Sequence, residues 1–441
     1  MMPTSDYLDD LFTYINQAPT AYHAVASSVK ILTGQGFQRL HEGEDWGALG
    51  PGSYYVIRND ASLIAFTLSH SSHAGRPLRM AGAHTDSPGL KIKPNPMQLR
   101  HGYGQLGVEV YGGALLAPWF DRNLSIAGRV SWCRNSGSVH CSLIDFQRPV
   151  ATIPSLAIHL DRDVNSKRSI DKQTDIVPLL MLSSESSPPD FHTLLASELS
   201  RLDPTAADAT ILAFDLFLYD TQPLCRVGLN NELITGSRLD NLLSCHALVQ
   251  GLVQAETPQN RLIVLNDHEE VGSVSTAGAQ GPFLKSVLER IFPDSALRQR
   301  AIAGSLFVSV DNAHAVHPNF AGKHDPDHLP LLNRGPVIKM NANQRYATNA
   351  LTAALFRQFC TKAKVPCQQF VMRNDLACGS TIGPLTAAEI GVPTVDVGVP
   401  QLAMHSIRET VGHLDGWYLL QAMATFFSEE DEWIRCPEIV L

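Results

Sequence analysis

Past residue 231 the chain changes register repeatedly. LDNLLSCHALVQGLVQA, FLKSVLERIF and NALTAALFRQFCTKA carry apolar residues at helical spacing, whereas RLIVLND and SLFVSVDN hold unbroken apolar runs too short for helices. A strand apolar on both sides has to be covered on both faces. The alternation therefore predicts an α/β fold, a mostly parallel twisted sheet with helices on both faces. Before it, Leu8, Leu11 and Phe12, then Tyr22, Val25 and Val29 behind Thr20, mark two helices, with Thr20 as a cap. SYYVIRNDASLIAFTL is a hairpin around Asn59-Asp60, and the short run Leu78–Ala83 leads into His84. From Pro94 to Asn231 short β-like runs (LGVEVYGG, GRVSWC, HCSLIDF, TIPSLAIHL) alternate with turns. The expected layout is a discontinuous domain, 1–93 and 232–441, interrupted by a mainly β insertion, 94–231; a length of 441 residues accommodates both.

Composition narrows the function classes. A hydrophobic share of 44% with 17% charged residues is that of a packed globular protein and not of a disordered chain. The formal charge of −9, with no Lys/Arg-rich run, argues against nucleic acid as a partner. Eight scattered cysteines, Cys436 the last, show no C-x-x-C spacing and read as reduced thiols. The acidic N-terminus lacks the pattern of a signal peptide, and no apolar run reaches about 18 residues, so a cytoplasmic protein without membrane spans is expected.

Five segments place metal-binding side chains at strand ends or loops. In AGAHTDSPG, His84 and Asp86 stand two apart where a strand runs out; period two sets them on one side, where the imidazole could bind a metal. The Asp86 carboxylate could bond the ring's other nitrogen or orient a second histidine. LIVLNDHEEVGS ends a buried strand on the adjacent carboxylates Glu269 and Glu270. Neighbouring side chains diverge, so one can hold metal while the other takes a proton from an attacking water. Asp240 in SRLDN, Asp311 in SVDNAH and His405 in QLAMHSIRE could singly be a helix cap, a turn residue and a structural histidine. As a set they are oxygen and imidazole ligands without thiolate, which suits Zn²⁺, with Mn²⁺ or Co²⁺ as substitutes. A bridging carboxylate with two further ligands per ion would hold a pair of metals about 3.5–4 Å apart.

AHTDSPGLKIKP, SRLDNL, NDHEEVGS, VDNAHAVHPNF, GPVIKMNANQRYATN, VMRNDLACGSTIGP and PQLAMHSIRE follow one another in an order in which the chain closely resembles the aspartyl aminopeptidases, zinc-dependent co-catalytic metallopeptidases. The likeness runs from the N-terminal helices nearly to the end; departures fall in loops such as Ser184–Asp190. The resemblance implies an enzyme that releases Asp, and Glu, from peptide N-termini. It implies that Asp240 bridges two zincs, His84 and Asp311 complete one site, and Glu270 and His405 complete the other. Glu269 would be the general base: it deprotonates the bridging water, the hydroxide attacks the scissile carbonyl, and the proton passes to the leaving amine. Asp86 would orient the His84 side of the site.

Acid selectivity needs a cation, and the resemblance implies that Lys339 meets the substrate's side-chain carboxylate. His159, in the insertion, is implied to reach the active site of a neighbouring subunit and touch the substrate or intermediate, a direct metal role being the weaker reading. Dimers formed through the insertion would assemble into a tetrahedral dodecamer. The rivals are an aminopeptidase of broader specificity, a metal-dependent deacylase on the same kind of sheet, and a catalytically silent assembly.

Overall fold

The structure is a computed structural model that describes residues 4–69, 75–134, 137–184, 187–255 and 257–429. Cys436 lies outside them, as does part of the polar stretch near Ser184. The chain divides into two units: residues 1–86, 224–404 and 409–441, and residues 87–223 with 405–408.

The first unit is built on a nine-stranded sheet whose order is Gln38–Arg39, Gly52–Arg58, Ser62–Leu68, Arg261–Asn266, Arg79–His84, Leu306–Val310, Thr394–Gly398, Val337–Met340 and Gln368–Val371. The four central strands, from Arg261–Asn266 to Thr394–Gly398, run parallel. Their residues are buried on both sides, and successive side chains enter different cores. Ile263, Leu265, Ala81, Ala83, Val308 and Val310 pack with the helices Thr4–Asn16, Ala21–Gly34, Leu239–Gln254, Ala350–Lys362 and Asp415–Ser428. Leu262, Val264, Met80 and Phe307 pack with Phe283–Ile291, Ser295–Ala303 and Ile382–Ile390. That is the expected covered, mostly parallel sheet, with a run of apolar residues in each central strand because water touches neither face. Leu239–Gln254 is itself buried almost all round, from Leu239 to Leu252. Such a helix belongs inside a unit and not on its surface.

Asn59 and Asp60 have φ of 53° and 57°, the doubly left-handed turn that matches strand twist in a two-residue hairpin. Thr20 occupies the position before the Ala21–Gly34 helix, but its hydroxyl bonds the His23 ring at 2.8 Å and caps no backbone N–H. The expected cap is a side-chain pair instead. A smaller sheet in the same unit joins Cys225–Val227, Leu233–Gly236, Glu409–Gly412, Pro400–Leu402 and Ala313–His314.

The second unit is a six-stranded antiparallel sheet, His140–Asp145, Leu124–Cys133, Thr210–Asp220, Gly89–Arg100, Tyr103–Tyr111 and Leu179–Leu182, with the helix Phe191–Leu202 contributing Leu195 and Leu199 to its core. It begins at residue 87 and ends at 223, earlier at both ends than 94 and 231. At the front, Gly89–Arg100 already pairs with Tyr103–Tyr111. At the back, Cys225–Val227 and Leu233–Gly236 pair with each other and with Glu409–Gly412 of the first unit. TIPSLAIHL is not a strand: Thr152 makes one bridge to Leu179, and residues 154–160 continue as exposed coil and turn. Pro154 cannot donate to a ladder, which ends the pairing there.

Candidate metal centre

In an open parallel sheet, the loops leaving the carboxyl ends of the strands form the natural binding crevice. Register decides which residues arrive there together. Asn266 lies opposite His84, and Ser309 opposite Gly82, so Asp311, two residues on from Ser309, emerges at the level of His84. The Asp311 backbone passes close against Gly398 of the adjoining strand, where a Cβ would sit 1.8 Å from the Asp311 carbonyl oxygen.

His84 is buried. Its Nδ1 lies 3.0 Å from the Asp86 backbone carbonyl and 3.4 Å from Asp86 Oδ1. A carbonyl only accepts, so Nδ1 carries the proton and Nε2 is left with its lone pair. That Nε2 faces Asp240 Oδ1 at 3.5 Å and Asp311 Oδ1 at 3.7 Å. The ligand atoms of His84, Asp240 and Asp311 all lie within 4.8 Å of one another, and so do those of His84, Glu269 and Glu270.

Asp240 enters at the head of the Leu239–Gln254 helix, but its own φ and ψ of −85° and 107° are extended, not helical. Its N–H donates to the Glu409 carboxylate at 3.0 Å, and the next residue, Asn241, donates from Nδ2 to the Val310 carbonyl at 2.8 Å. The helix head is thus tied to the strand that delivers Asp311. Cys245, one turn further, donates from Sγ to the His84 carbonyl at 3.0 Å.

Glu269 and Glu270 sit on a single 3₁₀ turn, Glu269–Val271, entered through His268 and left through Gly272, both with positive φ. The buried Asp86 carboxylate holds that turn: Oδ1 accepts the Glu269 N–H and Oδ2 accepts the Glu270 N–H, each at 3.1 Å. One side chain therefore fixes both the histidine ring and the pair of glutamates. Sequence reasoning assigned Asp86 to a histidine alone, and nothing local signals its hold on a turn more than 180 residues away.

Lys339 is 2% exposed, with Nζ 3.5 Å from Asp311 Oδ2, 3.2 Å from the Asn312 carbonyl and 5.2 Å from the Tyr346 ring centroid. It is built into the centre as a partner of Asp311. Burial raises the Asp311 carboxyl, and Lys339 and His84 more than offset this, holding it well below the usual carboxylate range. Elsewhere the crowding has the opposite result. Burial pushes Glu269 up to about 8, His84 opposing and Asp311, Asp86 and Asp240 adding to the rise. Glu270 is raised by burial and by Asp240. Burial lowers His84, but Asp240, Asp311 and Asp86 outweigh it and the ring is held well above its ordinary value. Among the described residues of the first unit, the carboxylates of Asp86, Asp240, Glu269, Glu270 and Asp311 share this space with Lys339 and the His84 imidazole. The same charges that draw a proton to Nε2 would draw a divalent cation, and every available donor is a carboxylate oxygen or imidazole nitrogen, the ligand set of Zn²⁺.

The other two expected site residues belong to the second unit. His405 has a left-handed backbone, φ 67°, and its Nδ1 meets the Gly113 carbonyl at 3.2 Å. It stands in a short excursion between the Pro400–Leu402 and Glu409–Gly412 strands. His159 lies in the exposed segment 154–160, flanked by Leu156, Ile158 and Leu160, which are 60%, 46% and 75% exposed. Seven described cysteines form no disulfide. No helix among the described residues is long and apolar enough to cross a membrane.

Comparisons with known proteins point the same way. Residues 14–427 match the model of the aminopeptidase I zinc metalloprotease (M18) family. The chain is 51% identical over 421 residues to a probable M18 family aminopeptidase 2 of Stutzerimonas stutzeri, covering 96% of this chain and 98% of the relative. Among solved structures it is similar to a chain of the Ape4 and Nbr1 complex, with TM-score 0.92, 38% identity and coverage of 96% and 86%. It is also similar to the S. cerevisiae mApe1 dodecamer, with TM-score 0.83, 27% identity and 97% of each chain covered.

Proposed function

This chain belongs to the aminopeptidase I zinc metalloprotease (M18) family, and from that premise we propose that it is a two-zinc aminopeptidase releasing Asp, and Glu, from the N-termini of peptides. The observation that carries the proposal is the convergence of His84, Asp240, Asp311, Glu269 and Glu270 at the carboxyl ends of adjoining strands and the head of a buried helix.

In this reading His84, Asp240, Asp311 and Glu270 would hold the two ions, and His405 would join them as the family motif implies. Bound zinc supplies the Lewis-acid charge that polarises a scissile carbonyl. The remaining work falls to the chain. Glu269 takes the proton of the attacking water on its carboxylate and returns it to the leaving amine nitrogen, a role its place beside the ligands supports. Asp86 keeps Glu269 and Glu270 in place by accepting both of their backbone N–H groups. Lys339 offers the cation for an acidic first residue, and its tie to Asp311 gives it a second duty in holding that ligand.

Assembly completes the proposal. His159 acts in the active site of a neighbouring copy, and the apolar Leu156, Ile158 and Leu160 beside it give the exposed segment a reason to be covered. A dodecamer of dimers in the cytoplasm, on the pattern of the mApe1 dodecamer, would provide that neighbour.

The test is a panel of peptides differing only in the first residue, run on protein of measured zinc content. Hydrolysis of Asp- and Glu-initiated members well ahead of neutral ones supports the proposal. Equal rates would leave an aminopeptidase of broader specificity, and absence of hydrolysis with two zincs bound would favour the silent assembly. Glu269→Gln should keep its zinc and lose turnover by about 10²–10⁴-fold.

A further inference from the structure

Beside the metal centre the first unit has a pocket of about 280 Å³ of opposite electrical character. One wall is the parallel pair Ala313–His314 and Pro400–Leu402, in which His314 lies opposite Gln401. His314 follows the ligand Asp311 by three residues, and Met404, also in the lining, precedes His405. The pocket therefore starts where the ligand-bearing segments end.

None of its lining residues is acidic, although five carboxylates crowd the centre next to it. Its polar lining is His314, His317, Lys323, His324, Arg373 and Gln401, with Phe370, Met372 and Leu376 supplying apolar surface. Arg373 is fixed: its guanidinium donates to the Gly322 carbonyl and pairs with the exposed Asp375 at 2.7 Å. The two histidines keep donors to spare. His324 Nε2 accepts the His317 N–H at 3.3 Å, and His317 Nδ1 accepts the Asn319 N–H at 3.2 Å. Each neutral ring then carries its proton on the other nitrogen. Lys323, the outer side of the Arg373 guanidinium and these N–H donors, with Asp375 pairing Arg373 from outside the lining, form an anion site.

We infer that this pocket receives a carboxylate carried by the peptide beyond the scissile bond, either an acidic side chain or the C-terminal carboxylate of a short peptide. The inference rests on the aminopeptidase reading. It concerns the departing part of the peptide because the buried Lys339, assigned to the first residue, does not line this pocket. Lys323 and Arg373, by contrast, are exposed, as groups meeting a chain on its way out must be.

The test uses the zinc-loaded full chain and four substrates: Asp-Ala-amide, Asp-Ala with a free C-terminus, Asp-Gln-amide and Asp-Glu-amide. The first pair isolates a C-terminal carboxylate and the second an acidic side chain. In at least one pair the carboxylate-bearing member should have a kcat/KM about tenfold higher, the worth of a charge-assisted contact at a partly exposed site. The ratio should shrink with added salt. In K323Q/R373Q it should fall to about one. K323Q alone, which disturbs no fixed contact, should reduce it about threefold. Binding of the same pairs to Glu269→Gln, followed by calorimetry, should give matching ratios in Kd. Ratios near one in both pairs of the wild type, or ratios that survive in K323Q/R373Q, overturn the inference while leaving the peptidase reading intact. Failure to hydrolyse any of the four would remove the parent reading and this one with it.

Discussion

Asp86→Asn should cripple the centre without removing a ligand. The carboxylate accepts two backbone N–H bonds at 3.1 Å, one on each oxygen, and stands 3.4 Å from His84 Nδ1. Asparagine has the same shape but only one acceptor, so its NH₂ must confront the N–H of Glu269 or of Glu270. One charge-assisted bond is lost outright and the other becomes neutral. At about 1.5–3 kcal/mol for a hydrogen bond to a charged group, the turn carrying Glu269 and Glu270 loses about 2–3 kcal/mol of positional stability. If catalysis needs that turn in place, kcat/KM on Asp-Ala-amide should fall about 30–150-fold, mainly in kcat. The magnitude agrees with what removal of an outer partner costs other metal sites, about 10–100-fold. The assay is steady-state hydrolysis with zinc counted per chain and the fold followed by circular dichroism. Activity within threefold of wild type at full zinc content would refute the claim that Asp86 positions the proton-carrying glutamate.

Lys339→Met should lower kcat/KM for Asp-initiated peptides by about 100-fold, and for neutral ones by much less. Because Lys339 also holds Asp311, zinc content must be measured in parallel; equal losses on both substrate classes would reduce the lysine to that second duty. His159→Phe should lose turnover with assembly and metal intact, and mixing it with Glu269→Gln should restore part of the activity; no restoration would place His159 elsewhere. In the second unit, burial raises the Glu198 carboxyl, but Arg148 and Arg201 more than compensate and hold it below the ordinary glutamate range. A depressed carboxylate stabilises the fold above its unfolded value, near pH 4.3, and stops doing so as pH falls through the folded one. Glu198→Gln should therefore cost about 1–2 kcal/mol at pH 7. Thermal melts should show the gap to wild type closing below about pH 4, and a gap constant with pH would contradict the pairing.

How far the sequence could be read depended on the range of the interactions involved. Strands apolar on both sides had to be covered on both sides, so the central sheet and its flanking helices followed from local pattern. The hairpin at Asn59-Asp60 announced itself through residues that tolerate a left-handed backbone. Positions at strand ends could be found because parallel strands deliver their carboxyl ends to one edge, and this marked His84, Glu269, Glu270 and Asp311 before any fold was known. What escaped were contacts without a local signature. Asp86 holding a turn across the sheet, Glu409 accepting the Asp240 N–H and Lys339 paired with Asp311 depend on tertiary register, which no window of residues contains. TIPSLAIHL has strand-like composition, but Pro154 and the exposure that follows it leave no ladder to join. The insertion's limits lie seven and eight residues before those its composition suggests, because the strands at its borders look alike and only their partners tell which unit each belongs to.

The central claim is that five side chains remote in sequence share two metal ions. It is tested most directly by anomalous diffraction at the zinc edge from crystals of the zinc-loaded protein. Two peaks per chain are expected, with Asp240 touching both, His84 and Asp311 on one, Glu270 and His405 on the other, and Glu269 on neither. A single peak, or two peaks of which Asp240 touches at most one, would contradict the account.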